Sequence, residues 1–291
     1  MSDLLLDREV ILLGGTQSSG KSYSIAKLVE EGQDEDNPFS VMVIDRDRGL
    51  GKALKEVFGK GVTLDKLENL DYRLITTWEG ILEAIEDAFK VLGAGDWLVF
   101  EHCGKLWEFA QEEFSRHVYG EDVGQHLEVL RAEAQQIIDD LGIDLRSSVK
   151  GERSEAHKAV STKVAFNGLE GRYDWGIIKR QHNGSVFDRA IVEGSFNVLT
   201  TTSMTPLQDD DIKQNRWPDF HKIGMRPEGE KHQVYRHDTV SIVYQKDGTY
   251  LWRTNLGSGS GPGKDRGRAL HRDIDFKNKG FVRSYLDTVE D

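Results

Sequence analysis

Eight residues, Gly15-Thr16-Gln17-Ser18-Ser19-Gly20-Lys21-Ser22, have the types and spacing to hold a triphosphate. They fit the pattern G-x-x-x-x-G-K-[ST]. Glycines let backbone N–H groups turn inward around a phosphate, and a following helix adds its positive dipole end. In such a loop Lys21 reaches the β- and γ-phosphates and the Ser22 hydroxyl ligates Mg²⁺. Gly15 through Ser22, with Tyr23 immediately after, are the candidate nucleotide-binding residues. ATP and Mg²⁺ are the expected ligands.

A phosphate loop needs an acid at the end of a nearby strand. Asp96-Trp97-Leu98-Val99-Phe100-Glu101 supplies four apolar residues and then a carboxylate, a Walker B pattern with Glu in place of the commoner Asp. Hard cations take oxygen ligands, so Glu101 is a candidate metal ligand beside Ser22. Its extra methylene leaves open whether Glu101 is the metal acid, the catalytic base, or both. Hydrolysis also requires a group that orients water. Asp45 ends an apolar run and would lie at the carboxyl edge of a sheet, where ligands bind; Asp47 is the second candidate. Thr202 and Ser203, at the end of another apolar run, have hydroxyls suited to sensing a γ-phosphate.

Lys264-Asp265-Arg266-Gly267-Arg268 places cations on a glycine-framed segment. Lys264 and Arg266 suit three roles: stabilising a γ-phosphate in a neighbouring subunit, touching a nucleic-acid backbone, or forming a solvated turn. Other chemistries find little support. Nine histidines show no metal-ligand spacing with the single Cys103, and no G-x-S-x-G nucleophile elbow occurs.

Short apolar runs alternate with helical ones, which predicts a mostly parallel α/β sheet flanked by helices. Glu9–Leu13 reads as the strand before the loop, and Ser22–Glu30 as the helix after it, with Ile25, Leu28 and Val29 on one face. Further strands are expected at Phe39–Asp45, Arg73–Thr77, Trp97–Phe100 and Asn197–Thr202. A helix is expected over Trp78–Leu92. Nearly a hundred residues separate the fourth and fifth strands, far more than a crossover needs. They read as an insertion over 103–195, helical at Leu106–Tyr119, Val123–Leu141 and Trp175–Val192, with a mobile polar loop near 146–163. Asp238–Gln245 and Gly248–Thr254 read as a C-terminal hairpin.

The chain of 291 residues is 37% hydrophobic and 30% charged, the composition of an ordinary globular protein. No apolar run approaches the ~20 residues needed to span a bilayer, and the basic n-region of a signal peptide is missing. A lone cysteine makes a reducing cytoplasm the expected compartment, with Cys103 a packed residue rather than a reactive thiol. The net charge of −12 argues against a generic polyanion binder, yet it is uneven. Residues 221–283 carry 13 Lys/Arg against 7 Asp/Glu, a net of +6, and the remainder carries −18. An acidic nucleotide-binding body with a basic C-terminal region (221–283) is one reading; separately solvated surfaces are the other.

The order of Walker A loop, Walker B strand, polar-ended strand and C-terminal hairpin leading to K-x-R-G resembles that of RecA-like P-loop ATPases. Lys264-Asp265-Arg266-Gly267 looks like the lysine–arginine finger of RecA-type hexameric helicases. Trp97–Gln111 and the block from Asp174-Trp175 to Thr200-Thr201-Thr202 are similar to phage-encoded ATPases of this class. The resemblance implies one RecA-like ATPase domain over residues 1–291, ATP hydrolysis coupled to DNA processing, and a homo-oligomer with a finger acting in trans. A P-loop kinase and a nucleotide-switched structural partner are the competing readings.

Overall fold

A computed structural model describes residues 8–140, 142, 174–217, 220–221, 223–254 and 273–290. The expected mobile loop near 146–163 and the cationic segment 264–268 lie outside these residues. Strand β1 (Val10–Gly15) is buried along its whole length. Continuous apolar, β-branched sequence of this kind suits a strand covered on both faces. Helix α1 (Lys21–Glu31) buries Ile25, Ala26, Leu28 and Val29 on one face. β2 (Val41–Asp45) is followed by α2 (Leu50–Phe58), which the sequence reading missed. Its buried stripe is only Leu50, Ala53 and Leu54, too short to stand out against its glycine and lysines.

β3 (Leu70–Leu74) lies three residues earlier than expected, because Thr77 serves α3 (Trp78–Val91) instead. The Thr77 hydroxyl accepts a hydrogen bond from Gly80 N at 3.1 Å, an N-cap that ends the extended run. β4 (Trp97–Glu101), α4 (Cys103–Tyr119) and α5 (Val123–Asp140) follow. α6 (Asp174–Lys179) continues as a π-helical segment, Arg180–Glu193, into β5 (Asn197–Pro206). The remainder comprises α7 (Asp209–Lys213), β6 (Met225–Pro227), β7 (Thr239–Lys246), β8 (Thr249–Thr254), β9 (Ile274–Asp275) and α8 (Phe281–Glu290).

Among the described residues the sheet runs β3-β2-β4-β5-β1-β7-β8-β9, with β6 pairing the far end of β5. From β3 through β7 every neighbour is parallel. The expected hairpin forms, but its first strand is also the parallel neighbour of β1, so the hairpin extends the central sheet. Asp247 and Gly248 both have positive φ at its turn, the geometry that an Asp-Gly pair favours. One face of the sheet packs on α1, α2 and α8 through Ile11, Leu13, Val43, Val99 and Trp252. Trp252 Nε1 donates to Ser284 Oγ at 2.8 Å, tying α8 to β8.

The chain divides into two compact units: one holds the whole sheet, the other spans Glu108–Gly184. Within the second, Tyr119 stacks on His126 with ring centres 3.9 Å apart and donates to Asp174 at 2.8 Å. No helix among the described residues is long and apolar enough to cross a membrane.

Candidate nucleotide site at the carboxyl edge of the sheet

Parallel pairing brings the heads of β1, β2, β4 and β5 to one edge. Gly15 registers with Ser203, and Asp45 with Glu101. Carboxylates and hydroxyls distant in sequence thereby become neighbours of the loop that follows β1.

That loop turns through positive φ at Ser18 (60°) and Gly20 (101°) before α1 begins at Lys21. A Cβ at Gly15 would clash with Ser19 Oγ and sit 2.8 Å from the Val243 carbonyl, so only glycine fits there. No side chain caps the start of α1, leaving its first amides for another acceptor. Lys21 folds over the loop, and its Nζ donates to the carbonyls of Gly15 and Thr16, both at 2.8 Å. Burial lowers its pKa; Glu101, Glu228 and Asp47 oppose that shift through charge.

Glu101 is 4% exposed and fully engaged. Its Oε1 accepts from Ser22 Oγ at 2.6 Å and its Oε2 from Thr201 Oγ1 at 2.7 Å. Thr201 Oγ1 in turn accepts from His102 N at 2.8 Å. Burial raises the Glu101 pKa, the two hydroxyl donors pull it down, and the charges of Asp45 and Asp47 push it up again. Asp45 is likewise buried with a raised pKa, again chiefly through loss of water. Its Oδ1 accepts from Asp47 N (2.8 Å) and Arg48 N (3.1 Å), and its Oδ2 from the Tyr72 hydroxyl (2.8 Å). It therefore anchors the turn between β2 and α2. Asp47 Oδ1 accepts from Gly49 N at 2.9 Å.

Ser203 and Thr202 diverge at the end of β5. Ser203 Oγ bonds His102 Nε2 at 2.7 Å, whereas Thr202 Oγ1 donates to the Glu228 carbonyl at 2.9 Å. Cys103 is buried, its S–H directed at that same carbonyl (3.9 Å), and burial pushes its thiol up to about 12, in keeping with a packed residue. Lys264 and Arg266 lie outside the described residues. The sequence reading missed Thr201, His102, Glu228 and Tyr72. Thr201 is brought in by the pairing order, which seats β5 between β4 and β1; nothing in the sequence marks Glu228.

Beside the loop lies a cavity of about 330 Å³ lined by Gly20, Lys21, Tyr23, Lys52, Glu56 and Tyr250, among others. That volume falls at the lower end of ligand pockets, ~300–1,000 Å³. Tyr23 and Tyr250 face each other with ring planes 16° apart and centres at 6.4 Å, and Tyr23 donates to the Lys277 carbonyl at 3.0 Å. Among the described residues no three His, Cys, Asp or Glu side chains converge to hold a metal. The Ser22 hydroxyl and Glu101 carboxylate form an all-oxygen pair, which fits Mg²⁺ ligated mainly by substrate phosphate and water.

A second hollow of about 580 Å³ is lined by Asp211, Arg216, Trp217, Arg226, Lys231 and Tyr235, with others. The Arg226 guanidinium lies 5.6 Å from the centre of the Trp217 ring. Asp211 sits 3.8 Å from both Arg216 and Arg226.

No protein-family model and no curated protein matches the chain. Among solved structures it is similar to one described as an ATPase domain, at 10% identity, with 96% of this chain and 83% of that chain covered and a TM-score of 0.41.

Proposed function

We propose that this chain is a Mg²⁺-dependent ATPase whose hydrolysis is coupled to DNA processing. The observation that carries the ATPase reading is the 2.6 Å bond from Ser22 to Glu101, beside a glycine loop that Lys21 covers. Hydroxyl, carboxylate and ammonium meet at one uncapped helix start, although the carboxylate comes from a strand some eighty residues away. The loop amides receive the phosphates, and Lys21 exchanges its carbonyl partners for β- and γ-phosphate oxygens. Ser22 and Glu101 would hold Mg²⁺, which would supply positive charge against the charge that develops on the phosphates. Thr201 fixes the free oxygen of Glu101, so the carboxylate keeps one orientation.

Support for DNA comes from the net +6 over residues 221–283 and from the hollow lined by arginines, lysine and aromatic rings. Cations that follow a backbone and rings that stack on bases are what single-stranded nucleic acid takes. On this reading residues 1–291 form one RecA-like ATPase domain, 103–195 its helical insertion, and 221–283 its basic hairpin and finger region. Lys264 and Arg266 act in trans on the γ-phosphate of a neighbouring copy. Arg266→Ala is then expected to lower kcat by ~10³-fold or more, the range of an arginine finger, while ATP affinity changes little. An effect confined to DNA binding removes Arg266 from that role.

The test is steady-state ATP hydrolysis with Mg²⁺, alone and with single- or double-stranded DNA, at two salt concentrations. DNA stimulation that fades as salt rises is expected. Nucleotide binding without turnover points to a switched structural partner, and transfer that needs an added acceptor points to a kinase.

A further inference from the structure

Of the four carboxylates at this edge of the sheet, Asp45, Asp47, Glu101 and Glu228, three have oxygens committed within the protein. Both oxygens of Glu101 and both of Asp45 are engaged, and one of Asp47 is spent on its own turn. Glu228 differs. Its side chain is 40% exposed, and His102 Nε2 lies 4.0 Å from its Oε2. Among the described residues, no hydrogen bond reaches its carboxylate. It is accessible to water and has lone pairs to offer.

Its backbone, by contrast, is firmly held. Glu228 N donates to the Ser203 carbonyl at 2.9 Å, and the Glu228 carbonyl accepts from Thr202 Oγ1. Ser203 registers with Gly15, so this clamp sits at the head of the strand beside the phosphate loop. Glycine at 104 leaves the space required: a Cβ there would lie 3.0 Å from Glu228 Cβ and 3.4 Å from Oε2. Gly229 follows with φ of 109°, a conformation that L side chains rarely adopt. His102 holds an unusual φ of 65°, and its ring rests on Ser203 through Nε2 while Nδ1 is buried without a partner. The same ring edge therefore faces both Ser203 and Glu228.

We infer that Glu228 is the catalytic residue that orients and deprotonates the attacking water, with His102 as its positioning residue. The inference rests on the ATPase reading. The water oxygen forms a bond to the γ-phosphorus as the bond from that phosphorus to the bridging oxygen breaks. The electron pair leaves with ADP, and the proton of the water passes to the Glu228 carboxylate and then to solvent. Ser203, whose carbonyl accepts from Glu228 N, registers with Gly15, whose carbonyl accepts from Lys21 Nζ, so Glu228 and Lys21 are both tied to the same end of the β1–β5 pair.

Glu228→Gln keeps the shape and removes the base. The expected result is a loss of ~10²–10⁴-fold in single-turnover hydrolysis, the range of a general base, with Mg·ATP affinity unchanged. Glu228→Asp should recover part of the rate. His102→Gln should lower kcat less than His102→Ala, neither altering ATP affinity, whereas a merely structural role would move affinity and melting temperature together. If wild type hydrolyses ATP, Lys21→Ala does not, and Glu228→Gln keeps the wild-type rate, this inference is overturned and the ATPase reading stands. A Glu228→Gln variant that loses ATP affinity also overturns it. Wild type without turnover overturns both.

Discussion

The edge around Lys21 and the hollow around Trp217 belong to the same sheet-bearing unit, yet they are built on opposite plans. At the first, strand ends and the start of α1 contribute buried or half-buried groups in two hydrogen-bonded sets: Ser22, Glu101 and Thr201, and Asp45 with Tyr72. At the second, a single stretch from 211 to 235 offers cations and rings, with Tyr235 51% exposed and Arg226 Nε buried without a hydrogen-bond partner. Burial makes charges costly unless they are bonded, but it also strengthens every interaction they make with a ligand. The first plan suits chemistry, where one geometry must be held. The second suits binding, where side chains adapt to a flexible polymer.

The contrast breaks most sharply if Lys21→Ala still turns over ATP; complete loss is expected, measured as kcat against the background rate. Glu101→Gln is the next largest effect, ~10²–10³-fold in kcat on the scale of losing an electrostatic stabiliser. It also carries a stability signature of opposite sign. Burial raises the Glu101 pKa in the folded protein, so the native state binds a proton more tightly than the unfolded chain. Stability is then greatest below the unfolded carboxylate range and declines as pH rises through the folded value. Without the ionisable group, part of that decline disappears, and the variant should melt higher than wild type near neutral pH. Thermal scans from pH 4 to 8 check this.

Tyr72→Phe sharpens the comparison at smaller cost. It removes the donor to Asp45 Oδ2, leaving a buried oxygen unsatisfied, and about 1–3 kcal/mol of stability should be lost in urea denaturation. Lys231→Ala, exposed at the rim of the second hollow, should leave stability and basal kcat unchanged. Its expected effect is a shallower salt dependence of DNA affinity, with the log–log slope reduced by about 1.

The asymmetry extends to what the sequence discloses. The phosphate loop is legible because one continuous stretch supplies every feature: glycines at fixed offsets, lysine, serine, a strand before and a helix after. Glu101 is legible because four apolar residues precede it. The fold class follows from the same alternation, and most strands lie within a few residues of their expected places. The partners of Glu101 and Asp45 are not legible in this way. Thr201 lies a hundred residues from Glu101 and Tyr72 lies on an edge strand; only pairing order brings them in. Glu228 sits in a stretch with no periodicity, placed by backbone bonds from β5. The parallel pairing of β7 with β1 was hidden because its local pattern is that of a hairpin.

The position of β1 also sets a timetable for synthesis. Val10 pairs with Val198 and Ile11 with Thr239, so the strand that carries the G-x-x-x-x-G-K-[ST] loop is made long before either strand it pairs with. At ~5–20 residues per second, on the order of ten to fifty seconds separate its emergence from that of its second neighbour. During that interval the nascent chain carries Ile11, Leu12 and Leu13 without the strands that bury them, a segment that chaperones would guard. A chain halted before Thr239 would contain the whole G-x-x-x-x-G-K-[ST] sequence and still lack the Val243 wall that shapes its cradle.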